Sequence, residues 1–254
     1  LRLMETTDIN ANVMVYNYYS DSVDNGHGLV RTAMLVKQAR EEIRYPENSA
    51  LVDNGDLIQG SPMGDWRQAQ GLTSGKVHPV YKVMNEMAYD VGNYGNHEFN
   101  YGLSFLEKSL AGAKFPVVCA NIAKSLGASP TEDETLLPPY VILDHSVTDG
   151  AGESHQIKLG LIGFVPPQVM NWDRKHLEGN VQARDIVATA KAWVPQMKEE
   201  GADIIIALSH SGIGSAQHED GMENASVPLA EVEGIDALMT GHSHLVFPSP
   251  DYAD

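Results

Sequence analysis

The chain is poor in cysteine, in positive charge and in long apolar runs, and each shortage narrows what it can be. Its single cysteine, Cys119, allows no internal disulfide, so cysteine usage does not fix the compartment. Its apolar neighbours in Phe115-Pro-Val-Val-Cys-Ala supply no base, and the residue reads as a buried structural thiol. Only 17 Lys and Arg stand against 34 Asp and Glu, a formal charge of -17 over 254 residues. Such a field repels polyanions and excludes duplex nucleic acid as a partner. A small phosphate substrate is still admissible, because local metal cations outweigh the global sign. No stretch approaches the roughly 18 consecutive apolar residues of a membrane span, so the chain reads as soluble, without a membrane partner. Internal repeats and low-complexity tracts are also lacking. The chain opens at Leu1-Arg2 with neither an initiator Met nor a signal-peptide pattern, and reads as a trimmed product. Its last residues, 250–254, carry no helical pattern and read as a cut at a domain boundary.

What is present is the pattern of one large α/β domain covering residues 1–254, with 43% hydrophobic residues. Short apolar runs at 1–4, 50–52, 117–120, 159–165, 204–208 and 235–239 have the length and β-branched content of buried strands. Apolar residues recur at helical spacing in 28–44 (Leu29, Ala33, Val36, Ala39, Ile43) and in 183–200 (Ile186, Ala190, Trp193, Val194, Met197). This alternation predicts mixed sheets sandwiched by helices. The Pro-, Gly-, Ser- and acid-rich stretch 124–153 reads as a surface excursion containing one strand, 140–143.

The polar clusters follow directly on apolar runs. Asp8 and Asn10 come after the first, Asp53-Asn54-Gly55-Asp56 after Val52, His210 after 204–208, and His242 and His244 after 235–239. Asn96-His97 lies in a glycine-punctuated turn leading into a helix from Leu103. Sites in open α/β sheets form beyond the carboxyl ends of strands, so these loops should converge. Carboxylates, an amide oxygen and imidazoles make a mixed N/O donor set without thiolate, suited to Mn, Zn, Fe or Mg. So many donors exceed the needs of one ion, and a carboxylate such as Asp56 can bridge two. Glycines at 55, 60, 95 and 241 fit a backbone that turns sharply with its side chains aimed inward. Asp53 is open between orienting a ligand and capping its turn, while Glu98 reads as a helix-entry charge. The histidines at 27, 78, 145, 155, 176 and 218 read as structural or surface residues.

Taken together, Thr7-Asp8-Ile9-Asn10, Asp53-Asn54-Gly55-Asp56, Gly95-Asn96-His97-Glu98, His210 and Gly241-His242-Ser243-His244 resemble the calcineurin-like metallophosphoesterases. Within that superfamily the chain is similar to the 5′-nucleotidase group. Glu5-Thr-Thr-Asp8, Val77-His-Pro-Val-Tyr81 and Gly163-Phe-Val-Pro-Pro-Gln168 look like its periplasmic branch acting on 2′,3′-cyclic nucleotides and 3′-nucleotides. The resemblance covers essentially the whole chain. It implies a four-layer α/β/β/α sandwich with two mixed sheets and two divalent metal ions (Mn, Zn, Mg, Fe or Co). Asp8, position 10 and His244 would hold the first ion and Asn96, His210 and His242 the second, with Asp56 bridging. His97 would stand by the phosphate as general acid or transition-state stabiliser. The implied activity opens 2′,3′-cyclic nucleotides to 3′-nucleotides and then releases phosphate. The implied setting is a periplasmic monomer whose further C-terminal domain, absent from this chain, grips the base.

Two positions depart from the pattern. Asn10 stands where the family carries His; an amide oxygen is a harder and weaker ligand, so the first ion should be held less well. Asn100 stands where much of the 5′-nucleotidase group has an Asp that orients and charges the His97 ring; a neutral amide can accept its hydrogen bond without raising its pKa by charge. The alternatives are a 5′-nucleotidase or nucleotide-sugar diphosphatase, against which Asn100 and Val77-His-Pro-Val-Tyr81 argue, and a metal- or phosphate-binding module whose catalysis Asn10 impairs.

Overall fold

Alternation of side chains along a strand fills two cores at once, and the strand at 204–209 shows how. Ile206 and Leu208 point to one face, against Ala50, Val52, Val91 and Val118 of a facing sheet, while Ile205 and Ala207 point to the other, under a helix. The computed structural model describes residues 1–73 and 75–250. In it β1 (Arg2–Thr6), β2 (Ser49–Asp53), β3 (Val91–Asn93) and β4 (Val117–Val118) form a parallel sheet in that order. β5 (Tyr140–Thr148), β6 (Ser154–Phe164), β7 (Ile204–Ser209) and β8 (Ala237–Thr240) form the second, in the order β8-β7-β6-β5. Only β5 runs antiparallel to its neighbour, so the mixture of directions lies in this sheet.

Parallel neighbours need crossovers. In the first half these are α1 (Leu29–Glu41), α2 (Pro62–Gln70), α3 (Pro79–Met87) and α4 (Leu103–Leu110). Val36, Tyr81, Met84 and Leu106 from these helices join the core on the outer face of the first sheet. In the second half α5 (Ile186–Glu199) lays Ile186, Ala190, Val194 and Met197 on the outer face of the second. The result is the expected α/β/β/α sandwich. Cys119 is fully buried, and burial pushes its thiol up to about 12, in keeping with an inert core residue.

The structure differs from the sequence reading in three places. β3 is only Val-Gly-Asn, too short to show a period, and its Gly92 leaves room for Phe115. Helices α2 and α3 begin at Ser61-Pro62 and His78-Pro79, with proline where the missing N–H costs nothing. The excursion at 124–153 is more ordered than expected: β5 continues to Thr148 as a hairpin with β6, and Asp144 faces Lys158 across it. Ile122–Ser125 also pairs with Glu134–Thr135. Residues 251–254, at the end read as a domain boundary, lie outside the described residues.

Buried amides join the carboxyl ends of the two sheets. Asn93 Nδ2 donates to the carbonyls of Phe164 (2.8 Å) and Leu208 (3.0 Å) and to Asn54 Oδ1 (3.0 Å). Asn54 Nδ2 in turn donates to the Ser209 carbonyl and to Glu5 Oε1, both at 3.0 Å. An unpaired buried amide is costly, so these bonds fix one end of the sandwich in one arrangement, and the polar loops hang from that end.

Candidate metal centre

Backbone strain marks the site. Among the described residues, eight non-glycine residues have φ in the left-handed region, and five of them, Asp8, Asn10, Asp56, His242 and His244, are candidate ligands. Such conformations cost on the order of 1–3 kcal/mol each and persist where surrounding structure enforces them. Here the enforcement comes from the loops gripping each other. The Asn10 and Ala11 amides donate to the carbonyls of Asp56 (2.7 Å) and Leu57 (2.8 Å), and the Asp8 amide donates to Gly55 (3.0 Å). Two glycines are required by contact. A Cβ on Gly55, whose φ is 92°, would lie 2.1 Å from the Gly95 nitrogen, and one on Gly95 would lie 2.2 Å from Asp56 Oδ1.

Each carboxylate is anchored by one oxygen and presents the other. Asp8 Oδ2 accepts from Thr7 Oγ1 (2.7 Å) and the His242 amide (3.1 Å); its Oδ1 lies 3.1 Å from His244 Nε2 and 3.9 Å from His210 Nε2. Asp56 Oδ1 accepts from the His97 amide at 2.7 Å, and its Oδ2 lies 3.1 Å from His210 Nε2 and 3.8 Å from His97 Nε2. His210, fully buried, uses Nδ1 to donate to the Asn54 carbonyl at 2.6 Å, leaving Nε2 aimed between the carboxylates. Asn96 Oδ1 sits 2.9 Å from His242 Nδ1, whose ring stacks on Trp172 at 5.7 Å. Asn10 is held beside Asp8 by a 3.0 Å bond from Nδ2 to the Asp8 carbonyl.

The donor set suits a divalent cation on two counts. Among the described residues, Asp8 Oδ1, Asn10 Oδ1 and His210 Nε2 are buried atoms without a hydrogen-bond partner, and ligand atoms of Asp8, Asp56 and His210 all lie within 4.8 Å of one another. Orphaned buried polar atoms are rare and costly, and those of Asp8 and His210, 3.9 Å apart beside Asp56, ask for an ion. The electrostatics agree. Burial alone would raise the Asp56 carboxyl, but the His210 and His97 rings and the His97 amide hold it below the usual carboxylate range. Burial alone would lower His210, yet Asp56, Asp8 and the Asn54 carbonyl raise it to about 9. The carboxylates demand positive charge between them, which a proton or a divalent cation supplies.

Three residues, Glu98, Glu223 and Asp173, acquire roles that the sequence reading did not give them, and the open role of Asp53 is decided. Glu98 is not a helix-entry charge: it is fully buried, and α4 begins only at Leu103. Its carboxylate accepts from the amides of Asp56 (2.7 Å), Leu57 (2.6 Å), Ile58 (3.3 Å) and Gly95 (2.7 Å), clamping the two ligand-bearing turns together. Glu98→Gln would face those amides with an NH2 group. The expected loss is roughly 3 kcal/mol of stability, from buried donors left unsatisfied, read as a lower urea midpoint at unchanged slope. Asp53, left open above, caps its own turn through Gly55 N (2.9 Å) and accepts from Thr6 Oγ1 (2.6 Å). Glu223 accepts from His242 Nε2 at 2.9 Å.

Asp173 gives a physical reason for Asn100. Asn100 Nδ2 donates to Asp173 Oδ2 at 2.8 Å, which turns Asn100 Oδ1 toward His97 Nδ1 at 2.6 Å. His97 Nδ1 must then carry its proton, leaving Nε2 facing the cluster. An Asp at position 100 would set two carboxylates in contact. Burial already raises the Asp173 carboxyl, and a second negative charge would raise it further. No sequence signal pointed to Asp173, which lies 73 residues from its partner.

A family model for calcineurin-like phosphoesterases matches residues 1–246. The chain belongs to this family. It is 52% identical over 253 residues to a 2′,3′-cyclic-nucleotide 2′-phosphodiesterase/3′-nucleotidase of Yersinia enterocolitica, a match covering 100% of this chain and 38% of that protein. It is 29% identical over 227 residues to a 5′-nucleotidase of Vibrio vulnificus, covering 85% of this chain and 36% of the relative. The crystal structure of the calcineurin-like phosphoesterase YfkN from Bacillus subtilis shares this chain's fold with a TM-score of 0.91 at 48% identity, covering 99% of this chain and 74% of that one. The chain thus spans less than two-fifths of the length of these curated relatives.

Proposed function

We propose that this chain is the hydrolytic domain of an enzyme that opens 2′,3′-cyclic nucleotides to 3′-nucleotides and dephosphorylates the product. The observation that carries the reading is the convergence of Asp8, Asp56 and His210 donor atoms beside the oriented ring of His97. The names of the relatives favour this substrate class over 5′-nucleotides, since identity is 52% to the first kind and 29% to the second.

Two divalent cations, one held by Asp8, Asn10 and His244, the other by Asn96, His210 and His242, with Asp56 between, would polarise the phosphoryl oxygens and activate water. The chain's own residues do the rest. Glu98 and the two close-packed turns hold Asp56 in a single orientation. His97, its Nδ1 bonded to Asn100, presents Nε2 toward the cluster. When the P–O2′ bond of a cyclic substrate breaks, the departing oxygen needs a proton; His97 Nε2 is the group placed to give it from the doubly protonated ring, which is left neutral with its remaining proton on Nδ1 toward Asn100. We further propose that a C-terminal domain outside this chain grips the base and that the full-length protein works in the periplasm as a monomer. These points rest on the family resemblance and on the greater length of the relatives. Among the described residues no helix is long and apolar enough to cross a membrane.

Turnover of 3′-AMP well above that of 5′-AMP, abolished by chelator, is the expected result; preference for 5′-AMP would overturn the substrate assignment. The Asn10 oxygen supplies a donor, but a weak one. Asn10→His should therefore tighten binding of one ion about tenfold and leave the other unchanged, measured by calorimetric titration with Mn2+. Equal affinities in both proteins would show that Asn10 does not weaken the site.

A further inference from the structure

Between β1 and α1 the chain makes an excursion that the core does not need. Tyr16–Asn17 pairs with Ser22–Val23 in a short hairpin, and its apolar side chains face solvent: Tyr19 is 81% exposed and Val23 70%. Three of the protein's ten tyrosines fall within four residues here. The hairpin is built rather than loose. Asn17 Oδ1 accepts from the amides of Tyr19 (2.9 Å) and Ser20 (3.2 Å), the Tyr16 hydroxyl bonds Asp21, and Tyr18 meets Tyr16 edge to face at 5.2 Å.

These three tyrosines form one wall of a cleft of about 190 Å³ whose other side includes Asn12, Gly60 and Ser61. The cleft adjoins the candidate metal centre, because a Cβ on Gly60 would lie 2.5 Å from Asn10 Oδ1. Ser61, a lining residue, is only 3% exposed, and its buried hydroxyl has no hydrogen-bond partner among the described residues. Asn12 spends its Nδ2 on the carbonyls of Ile9 (3.1 Å) and Asn10 (3.4 Å), which leaves its oxygen as an acceptor. The lining offers no lysine or arginine, and its one imidazole, His27, is bonded to Asp24 at 2.9 Å. Nothing here would hold a second phosphate. Aromatic faces with an uncommitted hydroxyl and amide oxygen suit an uncharged planar ring that carries hydrogen-bonding groups.

We infer that the tyrosine hairpin and the Asn12–Ser61 floor form a subsite for the nucleobase and sugar of a nucleotide whose phosphate lies at the metal centre. This rests on the function proposed above. Tyr19 supplies the stacking face; Ser61 and Asn12 take the polar edge. The catalytic domain would then contribute to nucleoside recognition itself, independently of anything that further sequence adds.

The test compares 3′-AMP with glycerol 2-phosphate, a monoester without base or ribose, on the Mn2+-loaded chain and its Tyr18→Ala, Tyr19→Ala and doubly substituted forms. Loss of stacking should raise KM for 3′-AMP about tenfold, with kcat and the kinetics on glycerol 2-phosphate unchanged within twofold. The hairpin carries no core residue, so thermal midpoints should match and exclude misfolding. An unmoved KM for 3′-AMP, or an equal loss on both substrates, overturns the subsite. Should the parent chain hydrolyse neither substrate, the proposed function fails, and the subsite is then judged by saturation transfer from tyrosine ring protons to adenosine. Transfer that disappears in the double variant supports it; no transfer in the parent chain overturns it.

Discussion

His97→Ala should lower kcat for 3′-AMP by about 10²- to 10⁴-fold, the range for removing a positioned proton donor, while the number of bound metal ions stays the same. The separation follows from geometry. His97 reaches Asp56 through its backbone amide at 2.7 Å, a contact alanine keeps, whereas its ring nitrogen stands 3.8 Å from the carboxylate and is no part of the Asp8–Asp56–His210 grouping. Metal analysis of the purified variant beside its kinetics checks both halves. Loss of metal along with activity would make His97 a ligand or a structural residue instead. Asp173→Ala provides a graded companion. It frees the Asn100 amide to rotate and offer NH2 to His97 Nδ1, so kcat should fall about tenfold and the pH profile should shift, with KM and metal content unmoved.

Gly95→Ala should abolish metal binding and activity together, although it adds one methyl group. The new Cβ would lie 2.2 Å from Asp56 Oδ1 and 2.5 Å from the Asp56 nitrogen, and nothing there can yield cheaply. Asp56 is fixed by its amide bond to Glu98 and by the His97 amide, and the facing turn is backbone held by the same Glu98. The strain must be relieved by separating the two turns, which moves the carboxylate that the two proposed ions share. Stability should fall by about 3 kcal/mol as well, a cost comparable to strong overpacking. A variant that binds Mn2+ like the parent would show that the turns have slack this packing denies.

Strand positions and the donor set were legible because both leave short-range marks. Six apolar runs foretold six strands, and the residues after them foretold where the site would form, since side chains at the carboxyl ends of neighbouring strands converge. The stretch Val91-Gly-Asn was illegible as a strand because three residues carry no period. Glu98 was misread for a deeper reason. A Glu beside a turn looks the same in sequence whether it faces water or accepts four backbone amides, and only the tertiary approach of residues 55–58 to residues 95–98 decides. Asp173 and Glu223 are further cases: each supports a candidate residue across a loop, in a partnership that leaves no spacing to read. Asn100, a departure by family pattern, becomes intelligible once Asp173 is seen behind it.

The loops at the carboxyl ends of the two sheets are proposed to build a two-ion centre around Asp56. Anomalous difference maps from crystals grown with Mn2+, recorded on both sides of the manganese edge, test it directly. Two peaks sharing Asp56 are expected, the weaker one on the side of Asn10 and His244. A single peak, or two that do not share Asp56, would contradict it.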